Sequence, residues 1–317
     1  MFLTSAIVSN ELRIDRMGRG TMGIAQSGGT RLQALRRIVV SMIVLSPLPV
    51  GAEEIMGTDP ASPGHFQLEQ RFGYVTTFNA PAQAQGRRVP QRALTGETEI
   101  GYAPTEWYEV ALTTPYALAR TNTPMTGGMM DNGAQGYALQ SGGVTIRQTF
   151  IQGDRLERTV FFGLVARTIF APPGGLTPEL FVPNRMANGN PGAPQFVQEA
   201  TPRVAGMVTP IIGFNLPNDF QVIINANMGF GIVGGGSAFE PSIRVVKQLS
   251  DKWTVGFEHF ANLGPIGTVL PWNQQMQTLY AVAGTKFMGL ELGLGVGYGL
   301  TNASRGLAIK ANIGKDF

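Results

Sequence analysis

The feature that most constrains the fold of this chain is a strict alternation of apolar and polar residues. It is clearest over residues 220–230, where the even-numbered positions are apolar and the odd-numbered ones include Gln221, Asn225 and Asn227. The last eleven residues, Leu307–Phe317, alternate in a similar way. A period of two places successive side chains on opposite faces of an extended chain, so each stretch predicts a β-strand with one apolar and one polar face.

Such stretches recur from His65 to the end of the chain, and we count about twelve of them. Tight turns, as at 217–219 and 288–289, alternate with longer or glycine-rich connections, of which Ala171–Gln198, with six prolines, is the longest. An even number of strands with short turns at one end and longer loops at the other is typical of bacterial transmembrane barrels. The sequence therefore predicts an all-β fold: an antiparallel transmembrane β-barrel of the outer-membrane type with about 12 strands.

The end of the chain adds a second indication. The final stretch has an apolar face and stops on Phe317, with Lys315 as a polar exception near the expected membrane edge. It resembles the closing strand of bacterial outer-membrane barrels, in which the terminal aromatic strand is read by the barrel assembly machinery. The resemblance implies that Phe317 is an assembly signal and that this machinery is a partner.

A soluble β-sandwich would also alternate, but the aromatic residues favour a membrane barrel. Tyr102, Trp107, Tyr108 and Trp253 all lie beside tight turns. Aromatic side chains gather at the two membrane–water interfaces, where their rings are apolar and their polar atoms reach water. The barrel is therefore expected to lie in the bacterial outer membrane, with outer-membrane lipid around it.

The composition agrees with this class. The chain has no Cys, only 14% charged residues and a mean hydropathy of +0.05. This value is too polar for a bundle of membrane helices, whereas in a barrel only every second strand residue faces lipid. The lack of thiols suits an oxidising compartment and excludes thiolate metal sites.

The amino-terminal residues are typical of a secretory leader. Arg31, Arg36 and Arg37 precede the apolar run 38–45, and Val-Gly-Ala at 50–52 forms a small-residue cleavage site. This pattern predicts a signal peptide that ends at Ala52. The earliest residues are expected to be an upstream extension from a misassigned start, with Met17 or Met22 the better initiators.

The expected organisation is a leader with its extension over 1–52, a short periplasmic tail over 53–64 and the transmembrane barrel over 65–317. Removing 1–52 takes away six Arg and two acidic residues, which changes the net charge from +3 to −1. The basic pI of 9.3 therefore reflects the leader. With no basic patch interleaved with aromatics, no nucleic-acid partner is expected.

No catalytic, cofactor or metal motif passes its structural test. Residues 229–234 match G-x-G-x-x-G, but another strand pattern follows instead of the helix that a dinucleotide site requires. The two histidines, His65 and His259, have no metal-ligand spacing, and no serine is placed to pair with His259 as in an outer-membrane lipase. The sequence therefore predicts no enzyme, no cofactor, no metal and no catalytic residue.

The inward-facing charges are the candidate site. Most lie a few residues from a predicted periplasmic turn, so they should share one layer of the lumen. Two interpretations stand: a salt-bridged plug that fills a narrow lumen, or a polar constriction that selects solutes. The inward glycines at 293, 295 and 297 lead us to favour the open constriction. The predicted lumen-lining residues are Glu69, Arg71, Glu97, Glu99, Glu109, Arg147, Arg244, Glu258, Lys286, Glu291 and Lys310.

Three segments of the carboxy-terminal half, 239–241, 256–260 and 291–300, resemble a family of barrels assigned to the MetA pathway of phenol degradation and labelled as transporters. The resemblance implies passage of small solutes, including aromatic compounds, and brings no catalytic residues. The sequence thus predicts a porin-like outer-membrane channel or transporter for small solutes, which pass passively through a polar lumen. The alternative is a closed structural or surface-binding barrel that uses its long extracellular loops for recognition.

Overall fold

A computed structural model gives the fold of the chain. The structure describes residues 55, 62–76, 92–121, 136–141, 143–152, 157–171, 181–183, 196–198, 203–233, 235–304 and 306–317. The predicted leader and the loop segments 77–91 and 122–135 lie outside the described residues. No helix within the described ranges is long and apolar enough to cross a membrane.

The described residues are organised almost wholly as strands, because the alternating stretches extend so that their two faces separate. The one short helical turn among them is Trp272–Gln274. The strands are β1 (Phe66–Thr76), β2 (Arg92–Thr105), β3 (Tyr108–Thr121), β4 (Gly136–Ser141), β5 (Val144–Ile151), β6 (Val160–Phe170), β7 (Phe181–Pro183), β8 (Phe196–Gln198), β9 (Val204–Leu216), β10 (Phe220–Val233), β11 (Ser237–Gln248), β12 (Trp253–Asn262), β13 (Met276–Phe287), β14 (Leu290–Gly299) and β15 (Leu307–Asp316).

These strands form a closed antiparallel barrel with twelve positions, which confirms the predicted fold class. Neighbours along the chain pair around the ring, β4 and β5 share one position beside β3, and β6 pairs with β9. The ring closes where β1 pairs with β15, from Gln67 opposite Asp316 to Val75 opposite Ala308. Closure leaves no unpaired edge among the barrel strands, as a membrane-spanning sheet requires.

The tight turns lie at one end of the barrel. Met288 and Gly289 connect β13 to β14 with φ of 53° and 76°, as a two-residue hairpin turn requires. Asn218 and Asp219, which precede β10, also have positive φ, at 62° and 63°. Asn and Asp tolerate this conformation better than most residues do, which explains their presence in the turn.

Two predictions about connections were wrong. The stretch expected to form one strand over 137–150 is two strands, β4, which ends at Ser141, and β5, which begins at Val144 after Gly143 with its φ of 77°. The longest connection was expected to be a loop throughout, but it contains the short hairpin β7–β8, which meets β11 at Ser237. Alternation does not reveal these strands, because each has only three residues and prolines lie near them.

The two faces of the strands follow the predicted parity. Apolar side chains such as Phe162, Leu164, Ile224 and Leu294 are exposed on the outside, where lipid would cover them. Polar side chains such as Asn225 are buried on the inside. Beside the tight turns, Trp107 and Trp253 are more than half exposed, and other aromatic rings pair there: Phe66 with Tyr102, and Tyr108 with Phe150.

Candidate functional site

The inside of the barrel holds a cavity of about 720 Å³ toward the end with the tight turns. Its rim includes Asp219 and the turn residues 250–252, and its walls come from inward-facing strand residues. Of the eleven charged residues predicted to line the lumen, eight line this cavity: Glu69, Arg71, Arg147, Arg244, Glu258, Lys286, Glu291 and Lys310. The other three, Glu97, Glu99 and Glu109, reach the same region through ion pairs with the two arginines of this wall.

Arg71 on β1 is the first centre of charge. Its Nη2 lies 2.6 Å from Oε2 of Glu69 and 3.2 Å from Oε1 of Glu99, and its Nη1 lies 2.8 Å from Oε1 of Glu97. Antiparallel register explains this grouping, because Arg71 pairs with Glu97 and Glu69 pairs with Glu99 across β1 and β2. One guanidinium with its fork of donors therefore serves three carboxylates.

Arg147 on β5 is the second centre. Its Nη2 contacts Oε1 of Glu99 at 2.5 Å and Oε1 of Glu109 at 2.7 Å, and its Nη1 donates to Oγ1 of Thr149 at 2.9 Å. Glu99 also accepts a hydrogen bond from Thr113 at 2.8 Å. Glu99 thus joins both arginines, although β3 lies between its own strand and β5.

We name these six residues, Glu69, Arg71, Glu97, Glu99, Glu109 and Arg147, the acidic network. Its members are buried or half-buried, and ion pairs connect them all. Carboxylates this close would repel one another without the two guanidinium groups. The two arginines therefore reach all four glutamates, which favours the salt-bridged interpretation over the open constriction on this wall.

Strands β11, β12 and β15, the last of which pairs with β1, bring together a second group of charges. Nη1 of Arg244 lies 3.6 Å from Oε1 of Glu258, and Nζ of Lys310 contacts Oε2 of the same carboxylate. Only 6% of the Glu258 side chain is exposed, so its carboxylate is surrounded mainly by these two cationic partners and the lumen wall and has little contact with water. The third group, Lys286 and Glu291, is an ion pair of 2.6 Å at the more exposed cavity rim beside the β13–β14 turn.

The inward glycines of β14 do not leave the open space that the sequence led us to expect. A Cβ atom on Gly293 would lie 1.8 Å from Oδ1 of Asn312, and one on Gly297 would lie 2.5 Å from the ring of Tyr280. Side chains of β13 and β15 therefore lie across these glycines. The glycines make room for neighbouring side chains along the wall and do not widen the lumen at these positions.

Sequence reasoning missed an apolar region of the inner wall. Phe161, Val165, Ile211 and Ile223 are buried together with Ile151 on the inward face. A signal for them existed, because residues 160–162, 211–212 and 222–224 are continuous apolar runs in which both faces are apolar. The lumen thus has an apolar sector between its two charged walls.

Ile55 packs against this apolar sector. It is 3% exposed and lines the cavity together with Ile151. Ile55 belongs to the segment expected to form a short polar tail before the barrel, and nothing in that pattern indicates a contact inside the lumen. The sequence could not predict this contact, because a single apolar residue in a polar segment shows no periodicity.

The two histidines do not form a site with the charged groups. His65 is exposed before β1, and His259 lies on the outward parity of β12 opposite Ile243 and Leu279. Among the described residues, no group of three or more acidic or histidine side chains is placed to hold a metal ion.

Comparison with known proteins supports the architecture. The sequence matches no protein-family model and no curated protein. The fold is similar to that of the COG4313 outer membrane channel from Pseudomonas putida F1, with a TM-score of 0.55 and 13% sequence identity over 83% of this chain and all of that chain.

More distant similarities involve other outer-membrane barrels. The translocator domain of the autotransporter NalP from Neisseria meningitidis gives a TM-score of 0.41 at 13% identity, over 91% of this chain and 96% of that one. The Pseudomonas putida toluene transporter TodX gives 0.35 at 11% identity, over 85% and 93%. At the identity of the COG4313 match, the likeness shows the fold alone. The closed ring, its apolar outer face and this match identify the chain as a bacterial outer-membrane β-barrel.

Proposed function

We propose that this barrel is an outer-membrane channel that lets small solutes pass through its lumen. The observation that carries the proposal is the cavity of about 720 Å³ inside the strands, lined by inward polar and charged residues. A volume of this size falls in the range of sites that hold small molecules. The similar fold of a protein described as an outer membrane channel supports the same class of function.

The solutes that we propose are small compounds, including aromatic ones. The resemblance of the carboxy-terminal strands to the phenol-degradation family motivates this choice, and the walls of the lumen are compatible with it. Apolar side chains that line the cavity, such as Ile151, Val246 and Val282, offer contacts to an aromatic ring, while the charged groups of the cavity would orient polar substituents.

A closed barrel with a structural or surface-binding role is the second candidate. The acidic network favours it, because two arginines bind four glutamates on one wall and limit the space there. Ile55, buried against the apolar sector, further fills the lumen. In this candidate the long connections would carry recognition and nothing would cross the barrel.

Conductance of the purified, refolded chain in a planar bilayer separates the two candidates. A channel gives discrete single-channel currents, and a reversal potential in a salt gradient then reports ion preference. Uptake of a small aromatic solute into liposomes that contain the barrel, compared with empty liposomes, tests the solute class. Absence of both current and uptake in correctly folded protein would favour the closed barrel.

A further inference from the structure

The ammonium group of Lys310 occupies an unusual site on the inner wall. Its Nζ lies 4.6 Å from the ring centroid of Phe260 and 4.8 Å from that of Tyr280, and it donates a hydrogen bond to Oε2 of Glu258. The two rings are perpendicular, with centroids 5.8 Å apart. We call Glu258, Phe260 and Tyr280 the aromatic cage.

The register of three strands builds the aromatic cage. Glu258 and Phe260 are two residues apart on β12 and share its inward face, and Tyr280 on β13 lies opposite Glu258. Lys310 comes from β15, beyond β14, where it pairs with Gly295. Because Gly295 and Gly297 lack side chains, Lys310 and Tyr280 can lie across β14.

A carboxylate beside two aromatic faces is the chemistry that binds an organic cation. The rings attract positive charge through their π faces, and the attraction grows when water is excluded. Here Tyr280 is 3% exposed and the Glu258 side chain 6% exposed, so the aromatic cage is largely shielded from water. The pair Lys286–Glu291 shows the simpler alternative, an ion pair at the rim with a lysine side chain 62% exposed.

The aromatic cage also marks the inner boundary of the cavity on this wall. Glu258 and Lys310 line the cavity, whereas on β12 and β13 the cavity lining stops at Glu258 and at Val282. Phe260 and Tyr280 therefore lie just beyond it, toward the long-loop end. Phe260 packs against both buried apolar clusters of the described residues, the apolar sector around Ile223 and the cluster of Val75, Tyr280 and Ala308.

We propose that the aromatic cage is an organic-cation site on the path through the lumen, and that the chain occupies this site with its own Lys310. The occupied cage limits passage at the inner boundary of the cavity. A primary alkylammonium ion is the ligand class that fits, because it reproduces the end of the lysine side chain. This inference rests on the proposed channel function for its position on the path, but the binding site itself does not.

Removal of the built-in ammonium group and its replacement from solution test the proposal. The substitution Lys310→Ala in the full chain should raise single-channel conductance above that of the wild type. Adding n-butylammonium chloride should return the conductance of this variant toward the wild-type value. The same concentration should leave the wild-type barrel unaffected, because Lys310 already fills the site.

Variants of the aromatic cage identify the site of that effect. In the background of Lys310→Ala, adding Tyr280→Leu or Glu258→Gln should raise the half-blocking concentration of butylammonium by about tenfold, as expected for the loss of one desolvated cation contact. Lys310→Arg keeps the charge and should stay insensitive. Lys286→Ala, which removes a rim lysine whose side chain is 62% exposed, is the matched control and should produce no sensitivity to butylammonium.

Three outcomes would overturn the proposal in distinguishable ways. If Lys310→Ala conducts but butylammonium leaves its current unchanged, the aromatic cage is not a cation site. If Lys310→Ala does not fold, Lys310→Met keeps the stem over Gly295, and methylammonium, a smaller probe, should then reduce its current; a current that methylammonium leaves unchanged would reject the site. If no folded barrel conducts, the channel function fails; butylammonium should still raise the unfolding temperature of Lys310→Ala and not that of the wild type, and equal unfolding temperatures would reject the site as well.

Discussion

The side chain of Lys310 lies directly against the backbone of Gly295. A Cβ atom on Gly295 would lie 2.9 Å from Cγ and 3.1 Å from Cε of Lys310. This close approach lets a lysine from β15 cross β14 and reach Glu258 on β12. Gly256 on β12 is more tightly enclosed, because its Cβ would lie 2.1 Å from the carbonyl oxygen of Val245.

These two glycines should respond differently to the same methyl group. Gly256→Ala forces backbone atoms apart, so we expect a loss of about 1–3 kcal/mol in the free energy of unfolding. Gly295→Ala meets side-chain atoms, the stem of the flexible Lys310 and Cγ1 of Val282 at 3.2 Å, and should cost less. Urea unfolding of the refolded barrels, followed by tryptophan fluorescence, measures both. Equal losses would show that Lys310 is held as rigidly as the backbone.

The strands and their faces could be predicted because a period of two fixes both. Arg71 and Glu99 were assigned to the inward face from parity alone, and the structure places them there. Their contact could not be predicted, because it depends on the register of β1 with β2 and on the reach of a guanidinium. Arg147 reaches Glu99 across an intervening strand, a relation that no local pattern encodes.

The glycines of β14 also show what parity cannot predict. Parity correctly put Gly295 on the inward face, but an absent side chain indicates space without saying what fills it. The structure fills it with Lys310 from the next strand. The apolar sector was missed for a different reason: Ile223 is a single apolar exception on the inward face of an otherwise alternating stretch, and one exception does not show that neighbouring strands contribute apolar residues at the same place.

Gln70 interrupts the apolar outer face of β1, and its partners explain how this polar side chain is accommodated. Its Nε2 donates to the hydroxyl oxygen of Tyr116 at 2.6 Å, and its Oε1 accepts from Oγ1 of Thr98 at 2.7 Å. The substitution Gln70→Leu would leave both partners without these bonds where lipid offers none. We expect a loss of about 1–3 kcal/mol in the free energy of unfolding.

A double-mutant cycle checks this explanation. Gln70→Leu leaves the Tyr116 hydroxyl without this hydrogen bond, and adding Tyr116→Phe removes that hydroxyl. The double variant should therefore lose less stability than the sum of the two single losses. The coupling should be of order 0.5 kcal/mol or more. Strict additivity in urea unfolding would mean that the 2.6 Å contact contributes nothing in the bilayer.

We propose that Phe317 is read during assembly, beyond its part in the folded barrel. Its N–H donates to the carbonyl of Phe66 at 2.8 Å and its carbonyl accepts from the N–H of Phe66 at 3.3 Å, while the residue as a whole is 61% exposed. Phe317→Ala keeps both backbone bonds, so it should change the stability of the refolded barrel little but lower the amount of folded barrel in cells several-fold.

Phe287→Ala is the matched control for this prediction, because Phe287 is also 61% exposed and ends a strand at a tight turn. If both alanine variants reduce heat-modifiable barrel in outer-membrane fractions equally, the effect belongs to rim aromatics in general and the assembly signal is rejected. Stability of the purified, refolded variants must be measured alongside, so that a folding defect is not mistaken for an assembly defect.

The acidic network should also control conduction through the barrel. Arg147 is held over Glu99 and Glu109, and Arg71 over Glu97 and Glu99. Changing Glu97 and Glu99 to Gln removes two negative charges, so both guanidinium groups lose ion pairs that hold them in place. The network should loosen, so conductance should rise and the reversal potential should shift toward anion preference.

Glu291→Gln at the rim, where the side chain is 35% exposed, is the control and should change both the conductance and the reversal potential little. An acidic wall in contact with water would behave differently: cation preference would fall in the double variant while conductance stayed the same, and that result in a planar bilayer would show that the network does not narrow the path.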